Sequence, residues 1–157
     1  MKYQSVIPPD LFNMFIERLG YMPENKNILV IRDIYTACFL AINNDVTFVS
    51  DDQEAISAFI NTIIINNDFK STNNYIHIDT KIKNAWLNWI EENMEFDVAI
   101  MNPPYDGNLH LKILEKVIPI ADEVVNISPI RWLQDPLAKY KKSSDYKRFE
   151  NTILKKN

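Results

Sequence analysis

The sequence predicts an α/β fold of the doubly wound type, built on a mostly parallel sheet of at least five strands. Three observations predict it. Short β-branched runs alternate with segments of helical periodicity along residues 1–130, the pattern of consecutive βαβ units. The runs at 28–31 and 96–101 are almost continuously apolar, as strands covered on both faces must be. Each run is also followed closely by an acid, an Asn or a Ser, and the carboxyl ends of parallel strands are where such sheets carry their ligand crevice.

The elements follow in order. Asp10 is expected to cap a first helix whose apolar face is Leu11, Met14, Phe15 and Leu19, ended by Gly20 and a loop containing Pro23. Residues 28–31 form the first strand, 35–42 a short helix, 46–49 the second strand and 55–65 a helix with heavily apolar faces. Residues 75–78 form the third strand, and 83–93 carry Trp86, Leu87 and Ile90 at helical spacing. The fourth strand, 96–101, is apolar apart from one acid, Asp97. A helix at 109–118 leads to a fifth strand at 123–127, which Pro129 stops. Beyond Pro136 only helix is expected.

Composition bounds the rest. The 157 residues, 46% of them hydrophobic, suffice for one sizeable core. Residues 1–135 are expected to form that domain, with 136–157 a basic helical tail, either part of it or the start of a further region. A lone cysteine, Cys38, excludes an internal disulfide and a multi-cysteine zinc site, and no metal site is expected. No apolar run approaches the ~20 residues that span a bilayer and no signal peptide opens the chain, so a soluble, cytoplasmic protein without a membrane partner is expected. The net charge of −4 is unevenly spread. From Arg131 onward eight Lys/Arg face three Asp/Glu, leaving nine bases and 18 acids in residues 1–130. A basic tail favours a polyanion, although short lysine runs are more often simply solvated.

The chemistry points to the loop after the fourth strand, Asn102-Pro103-Pro104-Tyr105. Each of these residues is common in turns; following a buried apolar strand, they also form an acceptor site for a planar amino group. Such a group is a weak nucleophile because its lone pair is delocalised, and acceptors on both N–H bonds help it become tetrahedral. The Asn102 side-chain oxygen and the Pro103 carbonyl supply them, the two prolines stiffen the turn, and the Tyr105 ring is suited to stack on a base flipped out of its helix.

The stretch FDVAIMNPPY resembles the catalytic motif of N6-adenine DNA methyltransferases in which the cofactor motifs precede the catalytic loop. The resemblance covers roughly residues 6–134 and implies a Rossmann-like methyltransferase sheet, S-adenosylmethionine as cofactor, and DNA as partner through a recognition domain or subunit beyond this body. It implies further roles by position. Ile7-Pro8-Pro9-Asp10 is similar to the Thr-Pro-Pro-acid opening of those enzymes, bordering the methionine end of the donor, with Ile7 in place of Thr. Asp51, or its neighbour Asp52, matches the acid that accepts from the donor ribose. Asp79 matches the acid near the donor adenine. Asp33 is the remaining acid at the first strand. Residues 126–129 with Trp132 resemble the fifth-strand region of the family.

Two departures accompany the resemblance. The family's first strand ends in a glycine-rich turn, whereas this chain has Arg32-Asp33-Ile34-Tyr35, and its only glycines are Gly20 and Gly107. Glycine permits positive φ and close backbone approach, and Arg32, Ile34 and Tyr35 are candidates to fill the donor pocket instead. After Pro136 the chain offers one basic stretch where the family has further strands and target recognition. The leading expectation is a DNA adenine methyltransferase of phage or restriction-modification type. The alternatives are a catalytically inactive binding or inhibitory protein of the same fold, and a methyltransferase of a glutamine amide or an RNA amino group.

Overall fold

A computed structural model describes residues 8–65, 73–82, 84–92, 95–104 and 109–126. Five strands, β1 (Asn27–Ile31), β2 (Asp45–Ser50), β3 (Asn74–His77), β4 (Phe96–Met101) and β5 (Ala121–Asn126), form one sheet in the order β3-β2-β1-β4-β5. Every pairing is parallel. The strands expected at 28–31, 46–49, 75–78, 96–101 and 123–127 are therefore present, shifted by one or two residues at their ends. Ile127 and Pro129 lie outside the described residues, as do Ser128, Trp132 and the tail.

Alternation along the strands sends successive side chains to opposite faces, and among the described residues five helices cover them. Leu29, Ile31, Ala99 and Met101 pack with Trp86 and Ile90 of α4 (Ala85–Glu92) and with Leu111, Ile113 and Leu114 of α5 (Leu109–Val117). On the other face Ile28, Val30, Val98 and Ile100 meet Phe12 and Phe15 of α1 (Pro8–Leu19), Ala37 and Leu40 of α2 (Ile34–Leu40), and Ile56 and Phe59 of α3 (Gln53–Ile65). A single 3-10 turn, Ile118–Ile120, joins α5 to β5. This is the doubly wound, Rossmann-like sheet that the patterning predicts.

One expectation is corrected. Asp10 does not cap α1, because the helix already begins at Pro8 and Asp10 lies in its first turn. Proline is well placed in a first turn, where its missing N–H has no partner to lose and its φ is already helical. Gly20 does end the helix, at φ 84 with its N–H donating to the Ile16 carbonyl at 2.9 Å. Asp97, the acid in the fourth strand, sits at the amino end of that strand, and its Oδ2 accepts the backbone N–H of Asn27 at 2.8 Å. It pins β1 to β4 at the end remote from the loop it precedes in sequence.

Candidate active site

The strand order reverses direction between β1 and β4, since β1 leads through α2 to β2 while β4 leads through α5 to β5, on the opposite face. Such a switch point opens a crevice at the carboxyl ends of the two strands. Register brings the residues there into one row. Ile31 pairs with both Val49 and Met101, so Ser50, Arg32 and Asn102 follow side by side. The ladder continues through them: Asn102 N–H donates to the Ile31 carbonyl at 3.0 Å, Arg32 N–H to that of Val49 at 2.9 Å, and Ile78 N–H to that of Ser50 at 2.9 Å.

Asn102 is thus held at the carboxyl end of β4 by its own backbone, with its side chain half-buried, and Pro103 and Pro104 after it are buried. The Asn102-Pro103-Pro104 segment continues directly from β4. Tyr105 lies outside the described residues. Pro8 and Pro9 open α1, whose Phe12 and Phe15 pack on the same face as α2.

Arg32 carries the feature that the sequence did not disclose. Its φ is 71°, the left-handed region, which costs a residue bearing a Cβ about 1–2 kcal/mol. The turn after β1 therefore keeps a glycine-type backbone without a glycine. The other described non-glycine residues with positive φ are Asn25 and Asn84, a residue type that tolerates it. The Arg32 Nε lies 3.0 Å from Asp51 Oδ1, both side chains about one-fifth exposed. Asp51 Oδ1 is shielded from solvent and out of line for a hydrogen bond, so the pair is held by charge and proximity.

The four acids singled out at strand ends have different surroundings. Asp33 occupies the N-cap position of α2 and is buried, 6% exposed. Its Oδ2 accepts the Thr36 hydroxyl. Burial raises its carboxyl above the ordinary value, while the Thr36 hydroxyl and the N–H groups of Thr36 and Tyr35 bring it partly down. That carboxylate is directed into α2. Asp52 caps α3, its Oδ1 accepting Glu54 N–H at 2.9 Å, and this leaves Asp51 as the member of the pair at the crevice. Asp79 Oδ1 accepts Lys81 N–H at 2.9 Å in a tight turn after β3. Of the residues expected to fill the pocket, Tyr35 turns toward α1, its ring 4.6 Å from Phe39 and 6.2 Å from Phe12.

Two histidines that the sequence reading passed over lie toward the carboxyl edge of the sheet. His77 Nε2 lies 3.1 Å from the Asp51 carbonyl, and since a carbonyl only accepts, that nitrogen carries the proton. His110, in the first turn of α5, is 5% exposed, and burial lowers its pKa so that the ring is neutral near pH 7. Neither belongs to a sequence motif; only the topology brings them to this edge. Among the described residues no group of three or more His, Cys, Asp or Glu converges as a metal site, and no helix is long and apolar enough to cross a membrane.

Sheet order, parallel pairing and the β1–β4 switch point define a doubly wound, Rossmann-like fold. No family model and no curated protein matches the sequence. Solved structures do match. WbdD, a bifunctional kinase-methyltransferase, superposes over 92% of this chain and 33% of its own with a TM-score of 0.58 at 15% identity. Magnesium protoporphyrin IX methyltransferase (ChlM) from Synechocystis PCC 6803, with bound SAM, matches over 92% of this chain and 66% of its own, TM-score 0.56 at 10% identity. TrmN from Thermus thermophilus matches over 79% of this chain and 39% of its own, TM-score 0.55 at 14% identity. The chain spans about a third of the length of WbdD, and at these identities the likeness is one of fold.

Proposed function

We propose that this chain is an S-adenosylmethionine-dependent methyltransferase domain acting on the N6 amino group of adenine in DNA, of the phage or restriction-modification type. The observation that carries the reading is Asn102: an amide fixed by its backbone at the switch point, at the carboxyl end of β4, with Pro103 and Pro104 buried after it. Bound SAM in ChlM, a protein of the same fold, supports the donor.

The residues present fit that donor at the second strand. Asp51 offers a carboxylate at the end of β2, its Oδ1 shielded beside Arg32 Nε at 3.0 Å, twenty residues after the end of β1; an acid at about that spacing meets ribose hydroxyls in dinucleotide folds. Asp51 would hold the ribose, Asp79 would border the adenine, and Pro8 and Pro9 the methionine end. Asp33 would set the turn between them. When bound, the donor supplies an electrophilic methyl group on a sulfonium.

The protein's own work is on the acceptor. The Asn102 side-chain oxygen and the Pro103 carbonyl take the two N–H bonds of the amino group, favouring the geometry in which its lone pair points at the methyl. Prolines at 103 and 104 restrict the backbone so that both oxygens stay aimed. Tyr105 stacks on the flipped base. The extra proton leaves to water after transfer, so the reaction needs no general base beforehand.

DNA binding calls for a recognition element beyond the acidic body, since phosphate contacts supply most non-specific affinity. Arg32 favours a second reading, a methyltransferase fold that serves as a binding protein, because it stands where a glycine turn would admit the donor. Incubation with S-adenosylmethionine labelled in its methyl group, offered DNA, RNA and protein separately, tests the proposal. Label in DNA is expected; label in RNA or protein alone moves the acceptor, and label in none favours the second reading.

A further inference from the structure

We propose that Arg32 is an affinity-determining residue of the crevice: its guanidinium holds the Asp51 carboxylate, and a ribose-bearing donor must displace it to bind. The inference rests on the reading of the crevice as a nucleoside donor site. It goes beyond that reading by giving a residue of this chain control over how tightly the donor is held.

Three observations converge on it. Position 32 requires a left-handed backbone, φ 71°, which arginine adopts poorly. The side chain placed there does not run out to solvent but returns over the sheet to the end of the neighbouring strand, reaching Asp51 Oδ1 at 3.0 Å with each partner about one-fifth exposed. Asp51 is in turn the acid that faces the crevice, because Asp52 is committed to capping α3 through Glu54 N–H. A vicinal diol meets a carboxylate best through both oxygens, and Arg32 already occupies one of them.

Charge adds a second consequence. A sulfonium donor is a cation, whereas the thioether left after methyl transfer is neutral at the same sulfur. A guanidinium in the crevice opposes the first and not the second. Arg32 therefore shifts the preference of the site from S-adenosylmethionine toward S-adenosylhomocysteine.

Calorimetry on the full chain with each ligand tests this. Arg32→Gly removes the charge and suits the observed φ; Arg32→Asn also tolerates it and is too short to reach Asp51. Both variants are expected to bind S-adenosylmethionine about three- to tenfold more tightly than wild type, the scale of a partly exposed ion pair together with its charge. Their gain for S-adenosylhomocysteine should be smaller. For S-adenosylhomocysteine, which carries no sulfonium charge, the gain from Arg32→Gly should largely vanish in an Asp51→Ala background. If the wild type binds and neither variant binds more tightly, the inference fails while the donor reading stands. A gain for S-adenosylhomocysteine undiminished in the Asp51→Ala background also overturns it, since Arg32 would then act through bulk and not through the carboxylate. Absence of binding in every variant at millimolar ligand overturns both.

Discussion

Asn44→Ala should cost about 1.5–4 kcal/mol of folding stability, although the residue lies at the amino end of the sheet, opposite Asn102. Asn44 is 1% exposed. Its Oδ1 accepts Lys26 N–H at 3.0 Å, and its Nδ2 donates to the carbonyls of Pro23 at 3.0 Å and Leu40 at 2.9 Å. One side chain thereby ties together the loop after α1, the end of α2 and the entry to β2. Three hydrogen bonds at about 0.5–1.5 kcal/mol each, two of them buried, give the range. The Leu40 carbonyl keeps a second donor in Asn43 N–H at 3.3 Å, which holds the value below the maximum. The loss matters for the site because α2 has seven residues, too few to persist alone, and Arg32 and Asp33 lie at its start. Urea unfolding followed by circular dichroism measures the effect. Asn44→Asp, which keeps the Lys26 acceptor but sets a buried carboxylate oxygen against the Pro23 and Leu40 carbonyls, should be at least as destabilising as Ala near pH 7. A loss under about 1 kcal/mol for Ala would refute the argument that Asn44 fastens these three segments.

Other outcomes follow from the site. Asn102→Ala should reduce methyl transfer by on the order of 10² or more, by analogy with losing an aimed hydrogen-bond partner, with donor affinity nearly unchanged; equal activity would remove the mechanism. Asp51→Ala should weaken S-adenosylmethionine by about 1.5–3 kcal/mol, the range for hydrogen bonds to a charged group. Asp52→Ala should leave donor affinity alone and lower stability by about 0.5–2 kcal/mol as a lost helix cap; the reverse assignment by calorimetry would exchange their roles. Asp33 has a folded pKa above its unfolded value, so its folded state holds the proton more tightly and its contribution turns unfavourable as pH rises through the folded pKa. Asp33→Asn, which can still accept the Thr36 hydroxyl, should therefore be more stable than wild type near pH 7. That gain should shrink on acidification toward the ordinary carboxylate range, and a gain independent of pH would show that charge is not its cause.

The strands were legible in the sequence because their burial on two faces demands nearly continuous apolar runs, as in Ile28, Leu29, Val30 and Ile31, all fully buried. Helix limits were less so. Asp10 is a good cap residue, yet Pro8 and Pro9 are better first-turn residues, and a local rule cannot rank them. The candidate site was legible as a set of strand ends, since a doubly wound sheet gathers all of them at one edge. Its internal arrangement was not. Whether Asp51 or Asp52 faces the crevice depends on which caps α3, and the reach of Arg32 to Asp51 depends on the pairing of β1 with β2. These are consequences of register between segments distant in sequence. Asp97 shows the converse, an acid close to the Asn102-Pro103-Pro104 loop in sequence whose work is at the far end of the sheet.

The central claim is that the Asn102 loop presents the N6 amino group of adenine to a methyl donor. The most direct measurement is nucleoside mass spectrometry of DNA after incubation with S-adenosylmethionine and the wild-type chain, supplied with a recognition partner where one is found, beside the Asn102→Ala variant. The account predicts N6-methyladenine with the wild type and a loss of at least about 10² in its rate of formation with the variant. N6-methyladenine formed equally by both, or a methylated nucleoside other than adenine, would contradict it.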